Sequence, residues 1–169
     1  MGSVSQSSES NNYKYGKWTD DYCKCKEGSS KVFYDDTVTD IYWRSTYLVN
    51  DNLRRLTTAG RVFTLGISEI LFKGKSLTHD YVEVRVICSK CGEEKWVTFE
   101  YGCNGKCWSI GYYSKNYSLH GSIFNCNRRL EPILKIYKDL EGFEGEDYNF
   151  ISNNCKTFAK KLFKLLYKN

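Results

Sequence analysis

Three side chains in this chain have the types and the order needed for thiol chemistry. His79 opens a segment with strand character, Glu100 closes the next such segment, and Cys155 stands where a final helix should begin. A cysteine nucleophile needs this set: the thiol attacks, a histidine takes its proton, and an acid orients the histidine. Cys155 has a further advantage if it sits in the first helical turn. There the free N–H groups and the positive end of the helix dipole favour the thiolate over the thiol.

The elements that must hold these residues can be read from periodicity. From 79 to 88, Val82, Val84 and Val86 alternate with Tyr81, Glu83 and Arg85, which is the period of a half-buried strand. Ser89-Lys90-Cys91-Gly92-Glu93 supplies a turn. Residues 95–101, rich in Trp, Val, Thr, Phe and Tyr, complete a β-hairpin. A simple hairpin register places residues 101–103 nearest to His79, so bringing Glu100 to it calls for a bulge.

On the last helix Cys155, Phe158, Ala159, Leu162 and Leu166 share a face, with Lys156, Lys160, Lys161, Lys164 and Lys168 largely elsewhere. The cysteine therefore points toward the core, and Asn153 or Asn154 caps its turn. Another amphipathic helix runs from Leu130 toward Gly142, with Pro132 in its first turn. Residues 31–34 read as a short strand and 40–56 as a helix. Residues 61–71 are largely apolar and read as a strand followed by a helical turn, and 102–121 as a loop or a set of short strands.

The segment Asn153-Asn154-Cys155-Lys156-Thr157-Phe158-Ala159 resembles the Asn-Cys-x-x-Phe signature that opens the nucleophile helix of circularly permuted papain-like proteins, among them the PPPDE peptidases and the lecithin retinol acyltransferase group. His79-Asp80-Tyr81-Val82-Glu83-Val84 is similar to the His-x-aromatic-Val-Glu-Val strand of transglutaminase-like proteins, in which the following strand brings an acid to the histidine. In those proteins the cysteine helix precedes the histidine strand; here it follows, which is the permuted order.

The resemblance implies an α+β fold, an antiparallel sheet packed on a core helix in a permuted papain-like arrangement. It implies Cys155 as nucleophile, His79 as base and then acid, and Glu100 as the orienting acid, although Asp or another polar residue is common at that place. His120, the only other histidine, is the rival for third member or base. The implied activity is that of a cysteine hydrolase (a thiol or cysteine protease) or an acyltransferase, working on peptide, isopeptide or other acyl bonds of a peptide or protein substrate. No cofactor is required for that chemistry.

Eight cysteines leave seven besides Cys155. Cys88 and Cys91 lie at the hairpin turn, while Cys103 and Cys107 lie past the far end of the return strand. With about nine strand residues at ~3.3 Å each between them, the two pairs cannot share one metal. Cys23 and Cys25 are better partners, so a structural zinc held by Cys23, Cys25, Cys88 and Cys91 is a candidate staple between the N-terminal region and the hairpin. This opens the alternative of a zinc-stabilised binding module in which Cys155 and His79 are structural.

At 169 residues, the chain reads as one domain over 13–169, with a polar tail over 1–12 whose composition cannot offset the cost of ordering. No run of about 18 apolar residues appears, and the first residues lack an apolar leader core, so no stable membrane insertion is expected and the cytoplasm is the default compartment. Gly2 invites acylation, but the acceptor pattern wants Ser or Thr where Gln6 stands. The net charge of +5 permits nucleic-acid binding, yet no recognition signature organises the aromatics, and none is expected. A membrane-surface role for the lysines of the last helix ranks last, because its apolar face is needed for the core.

Overall fold

In the computed structural model of the protein, residues 16–18, 35–47, 78–113, 118–149 and 152–168 are described. The strands are β1 (Gly16–Trp18), β2 (Thr37–Tyr47), β3 (Thr78–Ile87), β4 (Glu94–Gly102), β5 (Gly105–Tyr113), β6 (Ser118–Ile123) and β7 (Arg128–Arg129). Two helices follow, α1 (Leu130–Lys138) and α2 (Cys155–Lys168), with a short 3-10 turn at Gly145–Asp147 between them. Among the described residues the strands form one antiparallel sheet in the order β1-β5-β4-β3-β2-β6, with β7 also paired to β2. The architecture is α+β, a sheet packed against helices.

The expected hairpin is β3 and β4, closed by Cys88 N–H donating to the Glu93 carbonyl at 2.9 Å, with Gly92 at φ 71° in the turn. Its pairing runs without a shift from Ile87 opposite Glu94 to Val82 opposite Phe99. Val82, Val84, Val86, Val97, Phe99 and Tyr101 thus share one buried face, because alternate residues of paired strands point the same way. Against that face lies the apolar stripe of α2, with Phe158, Ala159, Leu162 and Leu166 fully buried. Phe158 meets the rings of Tyr101, Tyr137 and Phe143 at centroid distances of 5.8, 6.3 and 5.3 Å.

Two expectations need correction, and one pair of alternatives is decided. Residues 40–47, read as the start of a helix, are strand. The segment Asp40-Ile41-Tyr42-Trp43-Arg44-Ser45-Thr46-Tyr47 is dense in aromatic and β-branched residues and sits between β3 and β6, where strand propensity and pairing override any helical spacing. Of the two alternatives for 102–121, the strands are what the structure shows, as β5 and β6. Finally, β3 is not half-buried. Tyr81 and Glu83 on its second face are as inaccessible as the valines, because the far end of β5 crosses behind them.

The helical expectations over 130–142 and from Cys155 onward agree with α1 and α2. Lys106 of β5 donates to the carbonyls of Lys138 (3.1 Å) and Leu140 (2.6 Å), satisfying acceptors that a helix end leaves open. The proposed tail over 1–12, the strand over 31–34, the remainder of 48–56 and the apolar run 61–71 lie outside the described residues, as do Cys23 and Cys25. No described helix is long and apolar enough to cross a membrane.

The packing makes a direct prediction. Phe158→Ala should lower the unfolding free energy by about 3–5 kcal/mol, the usual cost of emptying a fully enclosed aromatic site. Chemical denaturation of the two proteins measures it.

Candidate active site

Cys155 is the first residue of α2, and the local sequence explains why the helix starts there. Asn154 precedes it as the cap: its Oδ1 accepts the N–H groups of Lys156 and Thr157, both at 3.1 Å, and the Thr157 hydroxyl at 3.1 Å. Asn153 has a different task. Its Nδ2 donates to the carbonyls of Gly142 (2.8 Å) and Asp147 (2.9 Å), and its backbone exchanges two hydrogen bonds with Asn149 at 2.7 and 3.0 Å. These contacts lash the 142–149 loop to the entrance of the helix.

The loop is seated on the β4–β5 turn by a close backbone approach. A Cβ on Gly145 would lie 2.9 Å from the Cys103 carbonyl oxygen, so only glycine fits. The result is that Tyr148 comes to rest with its ring 5.3 Å from that of Tyr101, and the Tyr101 hydroxyl donates to the Glu144 carbonyl at 2.9 Å. The Tyr148 hydroxyl is pushed well above its ordinary range, first by burial and then by the negative charge of Cys155. Tyr148 and Asn153 are neighbours of the cysteine to which the sequence reading assigned no such role. The signal available for them was the pair Asn149 and Asn153 flanking a short link to the cap.

His79, second residue of β3, stands at the end of the sheet where β4 finishes. Its Nε2 lies 3.7 Å from Glu100 Oε2, and the imidazole also engages the Cys155 side chain, so the three residues singled out from sequence meet at one place. The β3–β4 pairing runs as far as Val82–Phe99, and His79 and Glu100 lie just past it on their strands, where their side chains meet.

Burial alone would favour neutral imidazole. The contact with Cys155, and after it the contact with Glu100, more than reverse this and push His79 from its ordinary 6.5 up to about 10. The imidazole thus lies between Cys155 and Glu100, and its contacts with both favour the protonated ring. Glu100 Oε1 is buried with no hydrogen-bond partner among the described residues, so much of what compensates this carboxylate comes from the histidine. Cys155 itself is 8% exposed, close to the surface at the helix end.

His120 is elsewhere. Its Nε2 is 3.0 Å from Ser45 Oγ and 3.8 Å from Asp80 Oδ2, and its ring packs 4.9 Å from Trp43. It is not drawn into the Cys155 cluster. Cys88 is buried and Cys91 exposed at the β3–β4 turn, with the whole of β4 between them and Cys103. A zinc held with Cys23 and Cys25 depends on residues outside those described. Among the described residues no three His, Cys, Asp or Glu side chains converge to hold a metal.

Comparison with protein-family models, with curated proteins and with solved structures finds no match to this chain. A thiol at a helix N-terminus, a histidine against it and a carboxylate behind the histidine can generate a thiolate, protonate a leaving group and hold the ring in one orientation between the two steps.

Two predictions follow from this geometry. In an NMR titration His79 should remain protonated through neutral pH and lose its proton near pH 10, whereas in Cys155→Ala the midpoint should fall. The sign for stability is that of a raised histidine. The stabilisation is complete below the unfolded value of about 6.5 and is lost as pH rises through about 10. Separately, Asn154→Ala should cost about 1 kcal/mol in thermal or denaturant unfolding, the typical value of a lost N-cap.

Proposed function

We propose that this protein is a cysteine-dependent hydrolase or acyltransferase of permuted papain-like architecture, acting on a peptide, isopeptide or other acyl bond. The observation that carries the reading is the meeting of Cys155, at the first position of α2, with a His79 that is itself 3.7 Å from the largely buried carboxylate of Glu100. The order of elements in the chain, histidine strand before cysteine helix, fits the permuted form of that architecture, and the Asn-Cys-x-x-Phe resemblance at 154–158 points the same way.

In this reading the Cys155 sulfur, paired with the His79 imidazolium, attacks the carbonyl carbon and forms a C–S bond. The electron pair of the C=O moves to oxygen, and the backbone N–H at the start of α2 donates to that oxyanion. Collapse expels the amine or alkoxide, which takes the proton from His79 and leaves an acyl-Cys155 thioester. Water or an acceptor nucleophile then gives its proton to His79 as it attacks the thioester, and the thiolate departs. Glu100 keeps the ring aimed through both halves.

Peptide and isopeptide bonds are favoured over lipid esters as substrates. A nucleophilic thiol works best in a reducing compartment, and for this reason the cytoplasm is the proposed setting.

The test is covalent. The protein is mixed with an activated acyl ester such as p-nitrophenyl acetate, and the acylated residue is identified by mass spectrometry while p-nitrophenol release is followed. An acyl adduct confined to Cys155, abolished in Cys155→Ala, is expected. Release should fall by about 10²-fold or more in His79→Ala, the range of a lost general base, and by less in Glu100→Gln. Equal acylation of several exposed cysteines, or an unaltered rate in His79→Ala, would overturn the reading.

A further inference from the structure

One face of β3 carries His79, Tyr81 and Glu83 in succession, since alternate residues of a strand point the same way. Glu83 is fully buried, an unusual place for a carboxylate unless both oxygens are held. Here they are: Oε2 pairs with Arg44 Nη1 at 2.6 Å, and Oε1 accepts the backbone N–H of Tyr113 at 3.0 Å. Arg44 is steadied in turn by stacking, its guanidinium carbon 4.1 Å from the Tyr42 ring centre and 5.6 Å from that of Trp96.

Tyr113 is the last residue of β5, and what its backbone position decides is the place of its ring. That ring packs 4.5 Å from Tyr81 and stands edge-on to the His79 imidazole at 6.1 Å. Tyr81 flanks the same imidazole, nearly parallel, at 6.1 Å. The imidazole therefore has an aromatic wall on one side and Cys155 and Glu100 within reach. The wall belongs to the strand end that Glu83 fastens.

We propose that Glu83 is a positioning residue for His79: by gripping Arg44 with one carboxylate oxygen and the Tyr113 amide with the other, it fixes the Tyr113 ring that keeps the imidazole turned toward Cys155 and Glu100. The inference deepens the reading of Cys155 and His79 as a catalytic pair and rests on it for its catalytic meaning. It requires Glu83 to be ionised, because a protonated carboxyl gives up its charged grip on Arg44. Burial raises Glu83 to about 6 in spite of the Tyr113 amide and Arg44, which favour its charge. The charged and titratable groups facing it are Arg44 from β2, Tyr81 on β3 and Glu100 from β4, with Tyr113 of β5 alongside. Acidification through pH 6 should thus release the wall before the histidine itself has any reason to change its proton.

Two readouts on the full chain separate this inference from the catalytic reading. The first is the NMR signal of the His79 ring. The protein has only two histidines, and His120, in its own contacts with Ser45 and Trp43, serves as the internal control. The second is the rate of alkylation of Cys155 by iodoacetamide across pH 5–9. In Glu83→Gln and in Tyr113→Ala the His79 resonances should move while those of His120 stay. Alkylation should slow by about 10-fold to 100-fold, the scale of a misplaced catalytic group, and the acid limb expected near pH 6 in the parent should vanish in Glu83→Gln.

Tyr113→Phe, which keeps ring and amide, should behave as the parent. The double variant Glu83→Gln/Tyr113→Ala should be no worse than the poorer single one, because both act through the same ring. Unmoved His79 resonances and an unaltered acid limb in a folded Glu83→Gln would overturn the inference, as would additive losses in the double variant. Cys155 no more reactive than the exposed cysteines in the parent would instead overturn the catalytic reading, and the His79 signal would still decide whether Glu83 positions the ring. If Glu83→Gln fails to fold, Tyr113→Ala and Tyr113→Phe carry the same test.

Discussion

The register of β3 against β4 is the constraint on which the rest of the molecule depends. With Val82 opposite Phe99, one face of the pair presents valines and aromatics to α2, and the other carries Tyr81 and Glu83 beside Thr98. A slip of one residue would exchange these sets, placing carboxylates under the apolar stripe of α2 and valines behind the sheet. Burial on both faces makes such a slip very costly. Packing and site geometry are thus set by the same interaction.

Past the end of that pairing His79 Nε2 comes within 3.7 Å of Glu100 Oε2. The helix contributes the remaining coordinate: with its stripe seated on the sheet and its first turn capped by Asn154, α2 has only one height at which Cys155 can stand. Asn153 and the glycine contact at Gly145 close the loop over that end, and Tyr148 packs on Tyr101, where the charge of Cys155 is felt by its hydroxyl.

The second face of the sheet is where simple patterning was least informative. Alternation of apolar and polar residues in β3 suggested a strand with one wet side. Yet Glu83 is enclosed because Arg44 and the Tyr113 amide satisfy it, and Tyr81 is enclosed by Tyr113. A polar residue in an alternating pattern reports that its neighbours on the other face are buried. It does not report whether something far along the chain will come to cover it. The misread helix over 40–47 has the same origin, since β2 gains its strand identity from β3 on one side and β6 on the other.

Local signals were sufficient wherever the physics is local. The hairpin from Thr78 to Gly102, the amphipathic α1, the start of α2 at Cys155 and its asparagine cap all follow from periodicity, turn residues and capping within a few positions. The candidacy of Cys155, His79 and Glu100 was legible too, because their types and order suggest one chemistry. What only the tertiary structure decided is distance. Strand pairing brings Glu100 within reach of His79, helix docking brings Cys155 to the imidazole, and β5 supplies the Tyr113 ring from thirty-four residues beyond His79. Such relations link residues far apart in the chain and are fixed by the packing of whole elements, which no short window of sequence encodes.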